Sequence, residues 1–460
     1  MSLHYKILSK IASCSLLWGM FFLYGCISPT EIKNPELESV QITAFRIEDK
    51  DNPDLKNTFF SIDHRKGVIY NAHLLPKDLA LDSVKVVLSR HTDAQLKFIV
   101  AGKEETPGSN DSLSFVDWKK GISIQLSNPT KEMFKEYKVD IRTYSYDPQT
   151  FNWHRAEGTQ LPALADVKKL LLREHQDQLF LFVGTTSGST EIYKRGKEAT
   201  GNWQKINTSG LTGIVKDCTI APDGTAYLLT DHFDFLVSSG DFTRWSSANI
   251  GQYIFAILGA FTEPGEKVST LALVLREAPD NKLHFGVLKG ATFSSGEPLP
   301  ADFPVENFSP LHLNVAQHPM LLLVGSSAKS GVLQKAATWT TTSGLDWLRL
   351  PTQEEEQMEA SLHAPALIYD RELDRIYSFI PADFTTATPQ MKVYFSDNKG
   401  LSWMMGSGAL MLPPAEFGIR SNNLVGYMGK NHTLYLFGGI LQNGTLPTDI
   451  WKGTPRIYTE

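Results

Sequence analysis

Few residues in this 460-residue chain have the types and spacing that chemistry needs. Asp231-His232-Phe233-Asp234 places two carboxylates around an imidazole in one short run. Imidazole nitrogen and carboxylate oxygen together can ligate a transition metal. The same residues also make a solvated turn in which the leading aspartate bonds backbone further on, and that is the reading adopted. Glu354-Glu355-Glu356 offers hard oxygen ligands of the calcium kind, but a run of like charges in a loop reads as a solvated surface. The sequence calls for no metal and no cofactor. Neither G-x-S-x-G nor H-E-x-x-H nor a P-loop pattern occurs, so no catalytic residue is assigned. Of the three cysteines, Cys14, Cys26 and Cys218, the last lies in the apolar run Val215–Ile220 and reads as a buried, inert thiol.

The N-terminus carries chemistry of another sort. Lys6 and Lys10 precede the apolar stretch Ile11–Gly25, which ends in Leu23-Tyr24-Gly25-Cys26. That stretch is about 15 residues, short of the about 20 that span a bilayer, so it reads as a secretory signal peptide. The Leu-x-Gly-Cys ending resembles the lipobox of bacterial lipoproteins, which implies lipid on the Cys26 sulfur. The match at Cys14 leaves too little apolar sequence upstream. With Cys26 lipidated, Cys218 is the one remaining thiol, and no internal disulfide can form. The protein is therefore expected in a bacterial cell envelope, on the periplasmic side or on the surface of the outer membrane.

Positioning such residues is the task of a β-rich chain. Apolar residues make up 42% of it, enough for a substantial core, and the net charge of -6 disfavours a nucleic-acid partner. Residues 1–25 read as the signal peptide and 26–38 as a polar tether. Residues 39–146 hold about seven short alternating runs, which suggests an immunoglobulin-like β-sandwich. Tyr137-Lys138-Val139-Asp140-Ile141-Arg142 shows the period of two that a half-buried strand needs.

Residues 147–460 repeat a unit. Innermost strands are predicted near Val167–Arg173, Val215–Ile220, Tyr253–Phe261, Leu311–Ala316, Ala364–Tyr369 and Leu424–Tyr427. Apolar second strands follow each, and a fourth strand usually holds a tryptophan. Trp153, Trp203, Trp245, Phe293, Trp347 and Trp403 mark it at intervals of 42 to 56 residues. The last unit, ending near Trp451, lacks its own fourth strand, and Phe151–Gly158 is a spare one. That is the signature of a six-bladed β-propeller closed by an N-terminal strand around Trp153.

Some blade ends resemble known families. Ser396-Asp397-Asn398-Lys399-Gly400-Leu401-Ser402-Trp403 resembles the Asp-box of sialidase-like propellers, with Asn398 and Ser402 departing from it. Thr340–Trp347 is a weaker copy. Leu434–Gly439 with Asp449-Ile450-Trp451 resembles a kelch blade. Phe60-Ser61-Ile62-Asp63, Gly67-Val68-Ile69-Tyr70-Asn71, Tyr137–Ile141 and Asp147-Pro148 leading to Trp153 resemble a family of Bacteroidetes lipoproteins. The resemblance implies an N-terminal Ig-like sandwich and a kelch- or galactose-oxidase-like propeller, and no particular activity.

For a sialidase the early arginine motif is missing, since Arg173 sits in Leu-Arg-Glu-His, and bidentate carboxylate recognition has no sequence support there. Galactose-oxidase chemistry needs a cross-linked cysteine, and Cys218 lies on a strand. The leading expectation is a lipid-anchored, non-catalytic binding or scaffold module for a glycan or protein ligand. Asp231, His232, Phe233, Tyr253, Phe384 and Arg420 are its candidate ligand residues, with Phe303, Phe308 and Phe417 in neighbouring loops. The alternative is a glycoside-active, sialidase-like propeller hydrolase. Asp82-Ser83-Val84 and Asp111-Ser112-Leu113 resemble Bacteroidetes O-glycosylation sites.

Overall fold

The structure, a computed structural model, describes residues 40–457 except 49–54, 56–57, 73, 78, 80–83, 92, 110, 117–120, 165, 199–200, 278–280, 316, 330–331 and 352–356. The readings on the signal peptide, the tether, Cys14, Cys26, Asp82, Ser83 and Glu354–Glu356 lie outside the described residues. Two compact units divide the chain, one ending at Ser145 and the other beginning at Tyr146.

The first unit is all β. Its strands are β1 Ile42–Glu48, β2 Phe60–Asp63, β3 Val68–Asn71, β4 Val84–Arg90, β5 Gln95–Val100, β6 Lys103–Glu105, β7 Ser112–Val116, β8 Ile122–Ser127 and β9 Phe134–Asp140. One sheet has the order β1-β4-β7, the other β2-β3-β9-β8-β5-β6. Only β3 and β9 pair in parallel among them. Alternation sets which side chains go in: Ile122, Ile124 and Leu126 of β8 are buried while the residues between them are not. They share one core with Ile42, Ile47, Val84 and Val86 of the other sheet.

Among the described residues, the second unit holds six four-stranded antiparallel sheets. From innermost to outermost strand, sheet 1 is Val167–His175, Gln178–Thr185, Thr190–Gly196 and Gln204–Ile206. Sheet 2 is Val215–Ile220, Thr225–Thr230, Phe235–Ser239 and Ser246–Ser247. Sheet 3 is Tyr253–Phe261, Thr270–Arg276, Leu283–Lys289 and Thr292–Pro298. Sheet 4 is Phe308–Val315, His318–Gly325, Ala337–Thr341 and Leu348–Arg349, and sheet 5 is Ala366–Asp370, Arg375–Ile380, Lys392–Ser396 and Met404–Met405. Sheet 6 begins with Ser421–Met428, Leu434–Ile440 and Asp449–Ile457, and takes Tyr146–Gln160 from the start of the unit as its outermost strand.

The second strands are apolar throughout because both of their faces are covered; Arg375–Ile380 is buried at every position. Each apolar cluster is shared by two consecutive sheets, and the series closes on itself. Leu170, Leu179 and Leu181 of sheet 1 pack with Tyr427, Phe437 and Ile450 of sheet 6.

The joint is made by Trp153. It lies opposite Gly453 in the register of Tyr146–Gln160 with Asp449–Ile457. A Cβ on Gly453 would sit 2.8–2.9 Å from three carbons of the Trp153 ring, so only glycine admits the indole there. The indole N–H donates to the Leu410 carbonyl at 3.2 Å, and Tyr377 donates its hydroxyl to the Pro148 carbonyl at 2.9 Å.

One expectation needs correction. Trp203, Trp245, Trp347 and Trp403 do not lie in the fourth strands; each stands immediately before one, and those strands are only two or three residues long. The indoles of Trp245 and Trp347 anchor the preceding turns instead, while that of Trp403 donates to the Thr338 hydroxyl of sheet 4 at 3.0 Å. Trp245 donates to the Phe242 carbonyl at 3.0 Å and Trp347 to the Gly344 carbonyl at 2.9 Å. The turn Ser396–Trp403 is held by side chains of its own. Ser396 Oγ accepts the Gly400 N–H at 2.8 Å, while Asn398 accepts from the Ser402 N–H at 2.9 Å and donates to its hydroxyl at 2.8 Å. Asn398 thus supplies the backbone acceptor that the Asp-box turn needs, which explains why the departure is tolerated.

Candidate ligand-binding site

The loop between the second and third strands of sheet 2 is a tight turn. Phe233 N–H donates to the Thr230 carbonyl at 2.9 Å and Asp234 N–H to the Thr230 hydroxyl at 3.0 Å. Closing it puts Phe233 at φ 64°, a left-handed conformation costly for a bulky side chain. Asp231 anchors the loop: its N–H donates to the Ile214 carbonyl at 2.8 Å, and its Oδ1 accepts the Ile214 N–H at 3.1 Å. Lys168 of sheet 1 reaches its Oδ2 at 3.5 Å. Asp231 is therefore a positioning residue. His232 is held beside it, Nδ1 to Oδ1 3.4 Å, with its side chain 77% exposed.

The strained turn aims Phe233 at sheet 3. Its ring lies 5.1 Å from that of Tyr253 and stacks at 5.6 Å on that of Phe255. Tyr253 opens the innermost strand of sheet 3 and stays 42% exposed. Two cations border these rings. Lys216 Nζ sits 4.9 Å from the Phe233 centroid and 4.2 Å from that of Phe255, and it donates to the Phe255 carbonyl. The Arg276 guanidinium lies 5.4 Å from the Tyr253 ring and 4.9 Å from the Phe255 ring. Such contacts contribute about 0.5–2 kcal/mol each, enough to offset the backbone cost at Phe233.

Burial pulls the Lys216 ammonium below its ordinary value, against the opposing pull of Asp217 and Glu306; Lys169 and Arg276 add to the lowering. Burial pushes the Asp217 carboxyl up, and its Oδ2 is enclosed without a hydrogen-bond partner. Next to it, burial pushes the Cys218 thiol up to about 11, which makes it inert at neutral pH. Arg173 of sheet 1 bends into the wall, donating to the carbonyls of Cys218 and Leu172, both at 2.8 Å.

The structure thus brings Asp231, His232, Phe233 and Tyr253 together. It does not bring in Phe384 or Arg420 by any contact among the described residues. Phe384 is half-buried in the sheet 5 loop after Asp383, whose carboxylate accepts from Thr385. Arg420 corrects the expectation outright. It is 1% exposed and spends its donors on the Phe417 carbonyl at 3.0 Å, the Gly438 carbonyl at 2.8 Å and both Asp449 oxygens at 2.8 and 3.0 Å. The paired glycines beside it, both at φ 74°, make room: a Cβ on Gly439 would lie 2.7 Å from the Arg420 Cβ. Phe303 and Phe417, each 3% exposed, fill the core between sheets.

Sequence reasoning missed Lys216, Phe255 and Arg276. Arg276 is the charged end of an otherwise apolar strand run and pairs with Tyr253, and that ending is the one signal the sequence offered; Lys216 stands within a mixed run beside Asp217. Among the described residues no three His, Cys, Asp or Glu side chains gather to hold a metal, and no helix is long and apolar enough to cross a membrane.

Comparison with known proteins follows from this geometry. A family model described as the DUF6242 beta propeller domain matches residues 147–456, and one for the DUF6242 N-terminal domain matches residues 33–141. No curated protein matches the sequence. Among solved structures, a mutant of Aleuria aurantia lectin in complex with alpha-methyl-L-fucoside is 12% identical, covering 65% of this chain and 98% of that one at a TM-score of 0.41. The Niastella koreensis GH74 enzyme is 13% identical over 72% of this chain and 50% of its own, at 0.40. Trypanosoma rangeli sialidase in complex with 2,3-difluoro-KDN is 8% identical over 66% and 57%, also at 0.40. None of these likenesses reaches the level at which a residue or ligand can be carried over. The chain belongs to the DUF6242 family; it is all β and contains a β-propeller domain.

Proposed function

We propose that this DUF6242 protein is a non-catalytic binding module that takes a glycan or protein ligand on the loop face of sheets 2 and 3. The carrying observation is the Phe233–Tyr253–Phe255 ring group, held in place by a strained turn and bordered by Lys216 and Arg276. Phe233 is half-buried against the apolar clusters on both sides of sheet 3, yet it keeps a costly backbone conformation beside exposed His232, which points to function. An aromatic stacked on a sugar or partner contributes on the order of 1 kcal/mol. Phe233→Ala and Tyr253→Ala are expected to weaken binding of whatever a glycan screen returns several-fold each, with the melting temperature held. Normal binding with earlier unfolding would make the rings core plugs and remove the site. Phe384→Ala measures whether the ligand reaches sheet 5.

The rival hydrolase reading has one observation behind it, the Asp217 carboxyl, whose Oδ2 is enclosed without a hydrogen-bond partner and whose pKa burial raises. Turnover of a glycoside lost in Asp217→Asn would establish it.

The finer architecture in this reading is a six-bladed propeller, residues 147–460, closed by the strand around Trp153. The cyclic series of shared clusters supports it. The first unit, residues 39–146, is read as immunoglobulin-like. The order β1-β4-β7 beside β3-β9-β8-β5-β6, with β3 parallel to β9, fits the two-sheet Greek-key arrangement of that fold. Anchoring through lipid on Cys26, after a signal peptide at 1–25 and with a tether at 26–38, would put the module at the cell envelope. Loss of the protein from the membrane fraction in Cys26→Ala tests that part.

A further inference from the structure

We infer that the ring group binds an acidic glycan, one bearing carboxylate or sulfate, and that Arg276 is the residue that reads the anion. This rests on the binding-module reading and names its ligand class.

Most of the charges near the rings are already used. Lys216 is committed: it donates to the Phe255 carbonyl between two ring faces, and Asp217 and Glu306 offset its charge. Asp231 is spent on Ile214 and Lys168. Glu277, the next residue to Arg276, accepts from the Ser295 hydroxyl at 2.5 Å and faces His284 Nε2 at 3.7 Å. Arg276 differs from all of these. It pairs across the sheet with Tyr253, lies against the Tyr253 and Phe255 rings, and has no carboxylate or carbonyl partner among the described residues.

A guanidinium stacked on rings keeps its planar fork of N–H donors in one orientation. That fork matches two oxygens of a carboxylate or sulfate at once, which a lysine ammonium does not. Here it stands at the margin of exposed Tyr253, with Phe233 next to it. A pyranose ring laid on the aromatic face would bring an acidic substituent to the fork. An acidic peptide offers the charge without the apolar sugar face that the rings call for.

The test uses the full-length protein and four probes: a galacturonan hexasaccharide, its fully methyl-esterified form, a sulfated neutral hexasaccharide and hexaglutamate. Calorimetry should give saturable binding of the acid or the sulfated sugar, falling with salt. Binding of the ester and of hexaglutamate should be at least tenfold weaker. Arg276→Met keeps the stem on the rings and should weaken the anionic probe at least tenfold, the cost of a charge-assisted hydrogen bond. Arg276→Lys should rescue only part of that loss. Preference for the carboxylated over the sulfated sugar, or the reverse, identifies the anion. Equal binding of acid and ester, still lost in Phe233→Ala, overturns the acidic-ligand inference and leaves the binding-module reading standing. Equal binding of hexaglutamate overturns the glycan assignment. Saturation by none of the probes, or an Arg276→Met variant that binds as wild type at an unchanged melting temperature, also overturns the inference.

Discussion

Closure of the second unit includes one contact that two substitutions can interrogate. Trp153 and Gly453 face each other across the seam although they are 300 positions apart in sequence. Trp153→Ala removes a partly buried indole that also touches Phe379 at 6.2 Å and bonds the Leu410 carbonyl. Truncation of a large aromatic costs about 3–5 kcal/mol when fully buried, and partial burial places this one near about 3 kcal/mol. Gly453→Ala pushes a methyl group to within 2.8–2.9 Å of the indole. Overpacking of that kind costs about 1–3 kcal/mol. With the indole gone there is nothing left to strike, so the double variant should be no less stable than Trp153→Ala alone. The coupling is thus about 1–3 kcal/mol, well above what separated sites show. Urea unfolding followed by far-ultraviolet circular dichroism on the two single variants and the double one reads it directly. If the two effects add, the indole does not lie on Gly453 and the seam is made elsewhere.

A further outcome follows from a buried charge. Arg420→Met strands the Asp449 carboxylate, leaving it Trp451 Nε1 at 2.6 Å and exposed Arg155 at 3.8 Å. Breaking such a pair should destabilise the protein by about 3 kcal/mol, while the protein that remains folded binds ligand normally; a selective loss of binding would return Arg420 to the site.

Sheet by sheet, most strands were readable because covered strands are apolar on both faces and their turns carry Gly, Asp and Asn. The predicted Val215–Ile220 and Tyr253–Phe261 coincide with the observed strands. The tryptophans misled because an anchor of a turn and a member of a two-residue strand look alike in sequence. At the site, Phe233 and Tyr253 were legible as aromatics in loop positions. Arg420 was misread because a charged residue in a loop says nothing of depth, and its partner Asp449 lies 29 residues away. Arg276 was passed over although it ends an apolar strand, because that charge gains its meaning only from which carboxylates the fold already engages with other residues.

The central claim, that ligand binds on the rings of sheets 2 and 3, is tested most directly by amide hydrogen exchange with and without the tightest probe of the binding screen. The account predicts added protection at Thr230–Asp234, Tyr253–Phe255 and Arg276, with little change elsewhere in the second unit. Protection confined to the opposite strand ends, around Asp177, Lys197 and Lys430, with those three segments unchanged, would contradict it.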